Sequence, residues 1–259
     1  MLTRQLVAAG AGALILMATP QPVAAHPHVW VKVDTTVVYE RGTIVALKQR
    51  WVFDEVYSSF AIDGLDKNKD GVFSREELQE LAKANMDGVG QFGYFTSAKL
   101  DNAPLKFGAP TEFYLEHIID PNPRPKGAGP ATKTEPKSSS MLGGIWNWMV
   151  GDDDARKNEP AKVLALTFTL PLSQPVLAEA EGFSFLTRDP TSYIAFGLAA
   201  AEPVRLSAGA PKECKARIDA ADLDPETKRL EEAFSGAGDG IRWSQLLGSS
   251  ITIVCDGKS

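Results

Sequence analysis

The sequence has only two cysteines and three histidines among its 259 residues, and it contains none of the common catalytic signatures. The patterns HExxH, GxSxG, GxxxxGK and GxGxxG are all missing, and GAGDG at 236–240 has the wrong spacing for a nucleotide-binding loop. These absences argue against a metalloprotease, a serine hydrolase or a nucleotide-binding enzyme. We therefore predict that the protein is not an enzyme, with a hydrolase lacking a recognisable motif as the alternative.

Positive charge is also scarce. The chain has 27 Lys and Arg residues against 33 Asp and Glu residues, which gives a net charge of −6. Nucleic-acid binding requires clustered basic side chains that displace counterions from phosphates. We therefore predict no nucleic-acid partner.

Long apolar runs are missing after the N-terminus. The one at Leu6–Ala18 follows the basic Arg4 and precedes small residues that end at Ala25. It is too short to cross a bilayer easily, since a spanning helix needs about 20 apolar residues. A basic start, a short apolar centre and small residues are typical of a secretory signal peptide. We predict cleavage of residues 1–25, a mature chain without a transmembrane segment, and a periplasmic or secreted location.

The two cysteines, Cys214 and Cys255, both lie in the last third of the chain. Two cysteines in an exported protein most simply form one disulfide bond, and we predict this pairing. Free buried thiols are the alternative.

Alternating apolar and polar residues from 28 to 53 predict a β-hairpin that turns at 40–43. The apolar spacing then becomes helical over 53–65 and again from about 75 to 86. Further strands are predicted at YFTSAKLD with PLKFG, TEFYLEHII, KVLALTFTL, GFSFLT, SYIAFGLA, PVRLSA, CKARI and SITIVC, and further helices at 225–234 and 243–247. Short strands without a repeated strand–helix rhythm favour an α+β fold, mainly antiparallel and sandwich-like, with an inserted helical hairpin.

Residues 121–160 interrupt this pattern. Their first half holds five prolines, two glycines and three serines, and therefore offers little apolar surface to stabilise an ordered structure. We predict a flexible insertion that separates residues 26–120 from a β-rich C-terminal part at 161–259. The insertion also carries Trp146 and Trp148, which we expect either to contact a membrane or partner or to fold back onto the domain.

The segment DKNKDGVFSREE, from Asp66 to Glu77, matches the twelve-residue calcium loop of an EF-hand at every required position. Gly71 occupies the sixth position, where the backbone must turn sharply around the ion. The predicted calcium ligands are Asp66, Asn68, Asp70, the Val72 carbonyl, Ser74 and Glu77. An all-oxygen set favours Ca²⁺ or Mn²⁺ over Zn²⁺ or Cu²⁺, and we expect a calcium affinity of about 10⁻⁵ to 10⁻³ M.

The alternative to a calcium site is an ordinary acidic turn. The chain offers no convincing second loop, because SGAGDGIRWSQL lacks acids at the first and last positions. We therefore favour a structural calcium clamp over a regulatory switch.

The histidines suggest a second metal site. Cleavage before His26 would place an α-amine, His26 and His28 close together, as nitrogen ligands for Zn²⁺, Ni²⁺, Co²⁺ or Cu²⁺. A frayed terminus is the alternative. His117 would add a third nitrogen if its strand were adjacent to the N-terminal strand, although a packed histidine is the more ordinary interpretation.

Several segments resemble one family, namely HPHVW, WVFDEVYSSF, GYFTSAKLD, FTLPL, RDPTSYIAF and the two late cysteines. They are similar to a periplasmic family of unknown function described as the periplasmic component of an uncharacterised ABC-type transport system. The resemblance covers roughly 26–120 and 161–255. The chain departs from the family in its long insertion and in Arg188, where the family commonly has tyrosine before Asp-Pro.

The resemblance implies a periplasmic accessory role beside nickel/cobalt-type or zinc-type membrane transporters. Taken with the calcium loop, it predicts an exported EF-hand protein that assists a transition-metal transport system, with a membrane metal permease as its partner. The alternative is a calcium-stabilised interaction or adhesion module without a transport role.

Overall fold

The structure is a computed structural model that describes residues 28–121, 160–180, 182–191, 193–219 and 249–255. Several sequence predictions fall outside these residues: the signal peptide, His26, Trp146 and Trp148 with most of the insertion, and the helices at 225–234 and 243–247.

The described ranges form a mainly β structure with two α-helices, as predicted from the apolar spacing. The strands are β1 (Val29–Glu40), β2 (Thr43–Phe53), β3 (Thr96–Leu100), β4 (Ala103–Leu105), β5 (Thr111–Ile119), β6 (Lys162–Leu177), β7 (Phe183–Thr187), β8 (Ile194–Leu198), β9 (Val204–Leu206), β10 (Cys214–Asp219) and β11 (Ser250–Cys255). The helices are α1 (Glu55–Ala61) and α2 (Gln79–Gly90), and a short 3₁₀ turn, Gly93–Phe95, follows α2. Within these ranges, neither helix has the length and apolarity needed to span a membrane.

The first sheet is built around the predicted hairpin. Strands β1 and β2 pair antiparallel, from Val31 opposite Phe53 to Glu40 opposite Thr43. The order is β5-β6-β2-β1-β8, and β9 also pairs with β1. Strand β6 is antiparallel to both of its neighbours, whereas β8 and β9 run parallel to β1. Residues 163–168 of β6 are all buried, so both faces of the sheet are covered along this part of the strand.

The second sheet has the order β10-β11-β7-β3-β4, and every pairing in it is antiparallel. Cys214 and Cys255 lie directly opposite each other on β10 and β11, with their Cα atoms 3.9 Å apart. They form a disulfide bond, which confirms the predicted pairing.

One face of the first sheet carries two hydrophobic cores side by side. In the first core, Val31 and Trp51 pack with α2 residues such as Met86. In the second core, Val37 from the same face of β1 packs with Phe183 from the second sheet. The helical segment and the second sheet therefore cover neighbouring parts of one face.

Strands from both sides of the predicted insertion share each sheet. Strand β6 pairs with β2 and β5, and β7 pairs with β3. The predicted N-terminal and C-terminal parts are thus interleaved in space rather than stacked as separate units.

Candidate functional site

The predicted calcium loop, Asp66–Glu77, lies between α1 and α2. Helix α1 begins at a carboxylate that also anchors it to the first sheet: Asp54 Oδ1 accepts from the Tyr57 N–H at 2.9 Å, and Oδ2 accepts from the Trp30 N–H at 2.8 Å. The helix ends at Ala61, earlier than the predicted boundary at 65. The reason is a turn at 62–65 in which Gly64 has a left-handed φ of 75°, a conformation that a helix does not contain.

The end of the loop leads into α2 through a reciprocal capping pair formed by Ser74 and Glu77. The Ser74 N–H and hydroxyl donate to Glu77 Oε2 at 3.0 and 2.9 Å, and the Glu77 N–H donates to Ser74 Oγ at 3.2 Å. A hydrogen-bonded turn follows, in which the Leu78 N–H donates to the Ser74 carbonyl at 3.1 Å. Because residues 75–78 form this turn, α2 starts at Gln79 rather than at about 75, and it continues to Gly90.

The acidic first half of the loop turns its side-chain oxygens towards its own backbone. Asp66 accepts from the Asp70 N–H at 3.2 Å and from the Gly71 N–H at 3.0 Å. Asn68 Oδ1 also accepts from the Asp70 N–H, at 3.0 Å. Asp70 Oδ1 in turn accepts from the Val72 N–H at 2.7 Å. The side chains at the first, third and fifth positions therefore all point into the loop.

The backbone of the loop has the bend that this arrangement requires. Gly71 has a φ of 76°, and Lys69 two residues earlier has a φ of 60°. Left-handed residues bend the chain tightly, and glycine adopts this conformation at the lowest energetic cost. Glycine at the sixth position of the loop therefore suits the left-handed conformation observed there.

Glu77 closes the loop onto its beginning. Its Oε1 accepts from the Lys67 N–H at 3.0 Å, while Oε2 contacts Ser74. The pKa of Glu77 is lowered, chiefly because the Ser74 N–H and then the Ser74 hydroxyl stabilise the carboxylate. A charged carboxylate at the twelfth position is the form that can bind a cation.

The second half of the loop docks onto strand β5. Phe73 packs edge-on against His117, with ring centroids 5.0 Å apart. Arg75 forms an ion pair with Glu116 at 2.5 Å, and its guanidinium carbon lies 3.8 Å from the centre of the Tyr114 ring. Sequence reasoning missed these contacts, because no local pattern links the eighth and tenth residues of a loop to a strand about 40 residues later.

The carboxylates of the loop are bound to N–H groups rather than gathered into one cluster. In the described ranges, no three His, Cys, Asp or Glu side chains form a metal-ligating group. The predicted ligand set includes only three carboxylates, from Asp66, Asp70 and Glu77. Its other oxygens come from an amide, a hydroxyl and a backbone carbonyl.

The two described histidines lie far apart in the first sheet. His28 is exposed, and its ring centroid is 4.9 Å from that of Tyr193. The backbone N–H of His28 donates to the Tyr193 carbonyl at 2.9 Å. His117 lies on β5, which β6 and β2 separate from β1. Strand β5 is therefore not adjacent to β1, and the condition on which His117 would add a third nitrogen to an N-terminal metal site is not met. Burial instead lowers the pKa of His117, with a smaller contribution from Lys162.

Comparison with known proteins gives a family but no activity. The chain matches the family described as "Protein of unknown function (DUF1007)" over residues 11–255. A similar protein from Haemophilus influenzae, named "Uncharacterized protein", is 24% identical over 240 residues, which cover 90% of this chain and 93% of the relative. No solved structure matches the chain. Because the family match extends over most of its length, the chain belongs to the DUF1007 family of proteins of unknown function.

Proposed function

We propose that the protein is an exported calcium-binding protein, that its calcium site is an EF-hand formed by α1, the loop Asp66–Glu77 and α2, and that it acts as an accessory component of a transition-metal transport system. The observation that supports calcium binding best is that the side-chain oxygens of the loop fold back onto the loop's own backbone, where a cation could replace the N–H groups they contact. Asp66, Asn68 and Asp70 accept hydrogen bonds from N–H groups inside the loop, and Glu77 reaches back to Lys67.

The donor chemistry favours calcium over other ions. Each predicted ligand offers oxygen, and hard oxygen ligands suit Ca²⁺ whereas nitrogen and sulfur suit Zn²⁺ and Cu²⁺. Three carboxylates confined to one twelve-residue loop repel one another, and a divalent cation offsets this repulsion. Binding would exchange the hydrogen bonds from the loop N–H groups for ion–oxygen contacts.

The loop has an unusual partner for an EF-hand. EF-hands usually pair, whereas here β5 contacts the loop through Phe73 and Arg75. A calcium loop held against a sheet has little freedom to change its helix angle. We therefore assign calcium a stabilising role, in which the ion joins the helical segment to the edge of the first sheet.

The decisive experiment is a calorimetric titration of the disulfide-bonded chain with Ca²⁺. The original chain should bind one ion, and Glu77→Gln should weaken binding by at least about tenfold, because a bidentate carboxylate is lost. Glu76→Gln is the matched control, since Glu76 is exposed and lies outside the predicted ligand set. Absence of a binding signal from the original chain, or equal binding by the two variants, would rule out the assignment.

The transport role rests on the family resemblance and on the histidines near the predicted mature N-terminus. The Cys214–Cys255 disulfide is compatible with an exported protein. A mature chain that starts at His26 should bind Ni²⁺, Zn²⁺, Co²⁺ or Cu²⁺, and His28→Ala should abolish binding while His117→Ala should not. If the mature chain binds none of these ions, the proposal of direct metal handling is wrong and the alternative of an interaction module is favoured.

A further inference from the structure

A cavity of about 540 Å³ lies at the far end of α2 from the calcium loop. Its walls are the C-terminal half of α2, the turn that follows it, and the segment before β8; Phe92, Phe95, Asp189 and Tyr193 are among its lining residues. This volume is in the usual range for small-molecule sites. Two segments that carry the family resemblance, 93–101 and 188–196, contribute Phe95, Asp189 and Tyr193 to its lining.

Three aromatic rings line the cavity, those of Phe92, Phe95 and Tyr193. Phe92 and Tyr193 are 59% and 56% exposed, although large aromatic side chains normally avoid water. Phe92 stacks on the buried Phe95, with ring centroids 5.3 Å apart and planes 7° apart. On the other side, the ring of His28 supports Tyr193 at 4.9 Å. The rings are thus held in place with their surfaces available to a ligand.

The backbone beside these rings is strained. Gly93, Tyr94 and Phe95 have φ values of 61°, 57° and 48°, so two side-chain-bearing residues in succession are left-handed. The left-handed conformation is energetically unfavourable for residues other than glycine, and non-glycine residues that adopt it tend to occur at binding sites. The Arg188 N–H donates to the Phe95 carbonyl at 2.7 Å and links this turn to the opposite wall.

A glycine in α2 keeps the cavity open. Gly88 lines it, and a Cβ added there would meet no atom within 4 Å. Glycine is unfavourable inside a helix, and close packing does not require it at this position. Its effect is to leave space where any other residue would place a side chain.

Asp189 supplies the charge. It is 5% exposed and is the one charged residue among the described lining residues. Its oxygens accept from the N–H groups of Thr191 and Ile194 at 2.8 and 2.9 Å. Burial acts to raise the pKa of this carboxyl, but the hydrogen bonds from Thr191 and Ile194 outweigh it and keep the carboxylate charged.

Two other polar side chains of the cavity, those of Asn85 and Thr191, already have partners. Asn85 accepts from the Tyr57 hydroxyl at 2.9 Å and donates to the Leu81 carbonyl at 2.9 Å. The Thr191 hydroxyl donates to Asp189 at 2.7 Å. The cavity thus offers negative charge and aromatic faces but few free hydrogen-bonding groups. This combination suits a cation that carries no N–H donors.

We propose that this cavity binds a small organic cation with a methylated ammonium group. The faces of the aromatic rings carry negative electrostatic potential and attract such cations, and a nearby buried carboxylate adds to the attraction. The proposal is independent of calcium binding, because none of the predicted calcium ligands lines the cavity.

Choline and its neutral carbon analogue 3,3-dimethylbutan-1-ol provide a test, because they share shape but differ in charge. In a calorimetric or NMR titration of the full disulfide-bonded chain, choline should bind at least about tenfold more tightly than the alcohol, since the cation–aromatic attraction requires charge. No detectable choline binding at millimolar concentrations, or equal binding of both compounds, would overturn the proposal.

Two variants locate the site. Gly88→Leu should fill the cavity and abolish choline binding while it favours the helix, and Phe92→Leu should weaken binding about fivefold through loss of one aromatic face. Phe60→Leu is the matched control, because Phe60 is 83% exposed on α1 and does not line the cavity. Far-UV circular dichroism and thermal unfolding check that each variant folds. Choline binding that survives in folded Gly88→Leu would place the site elsewhere and contradict the proposal.

Discussion

Arg75 in the predicted calcium loop forms an ion pair with Glu116 on β5, with 2.5 Å between Nη2 and Oε1. The two side chains are 54% and 31% exposed, so solvent screens much of their attraction. The pair is nevertheless placed where it can act on the proposed calcium site, because Arg75 lies between Ser74 and Glu77. It fixes the loop against a strand of the first sheet.

Glu116→Gln removes this ion pair. We expect the free energy of unfolding to fall by only about 0.5 kcal/mol, as for other partly exposed pairs, and the calcium affinity to fall by about twofold. Urea unfolding and calcium titration measure the two effects. Glu112→Gln on the same strand is the control, because Glu112 is exposed and contacts neither Arg75 nor the loop in the described interactions. An unchanged calcium affinity in Glu116→Gln would show that docking on β5 does not influence the loop.

Gly71→Ala tests the bend of the loop. Its φ of 76° is left-handed, so alanine there should cost about 1 kcal/mol and reduce calcium affinity about fivefold. Gly88→Ala is a matched control that should change the free energy of unfolding in the opposite direction, since Gly88 lies in a helix with open space around it. That substitution should raise the free energy of unfolding by up to about 1 kcal/mol. Thermal unfolding with and without calcium measures both; similar effects at the two positions would contradict the assignment of the bend.

Reduction of the Cys214–Cys255 disulfide should destabilise the second sheet. The two residues are 41 apart in sequence, and closure of such a loop stabilises by about 4 kcal/mol on the chain-entropy model. The melting temperature of the original chain should therefore fall when dithiothreitol is added. The double variant with both cysteines replaced by serine should melt at the lower temperature in either condition. A melting temperature that does not respond to reduction would contradict this prediction.

The burial of Tyr39 should make the stability of the protein depend on pH. Its hydroxyl is buried without a hydrogen-bond partner, and burial raises the pKa of Tyr39 from 10.0 to about 12. Because the folded-state pKa is raised, stability is fully present below pH 10 and is lost as the pH rises through about 12. Tyr39→Phe should remove this loss, and at neutral pH it should leave the free energy of unfolding equal or higher by up to about 1 kcal/mol.

Urea unfolding between pH 7 and the highest pH at which the chain stays folded measures the effect of Tyr39→Phe. Tyr193→Phe is the control, because Tyr193 is exposed. Parallel loss of stability in the original chain and in Tyr39→Phe would show that this hydroxyl is not responsible.

Local patterns predicted the secondary structure well. The hairpin of β1 and β2, the strand at 111–119 and the strands of the C-terminal part all follow from alternation and turn residues. The helix ends were less accurate, because Gly64 and the turn at 75–78 shorten both helices in ways that apolar spacing does not encode. Strand order was not predictable, since β6 reaches between β2 and β5 across the insertion and β8 pairs parallel to β1.

The proposed loop ligands could be named from spacing alone, because all of them fall within twelve residues. The aromatic cavity was not, because Phe92, Asp189 and Tyr193 are brought together only by the pairing of distant strands. A site made of one continuous segment leaves a sequence signature, whereas a site assembled by topology does not.

The late position of β6 in the sequence affects the folding of the β1–β2 hairpin. Strand β2 ends at Phe53, but the partner on its outer edge starts at Lys162. Until β6 is synthesised and pairs with β2, the β1–β2 hairpin has an unpaired edge made of largely hydrophobic residues. Unpaired edges of this kind readily pair with other chains. A protein truncated before Lys162 should therefore self-associate instead of remaining monomeric. A chaperone that binds the chain during synthesis should protect the edge of β2 first.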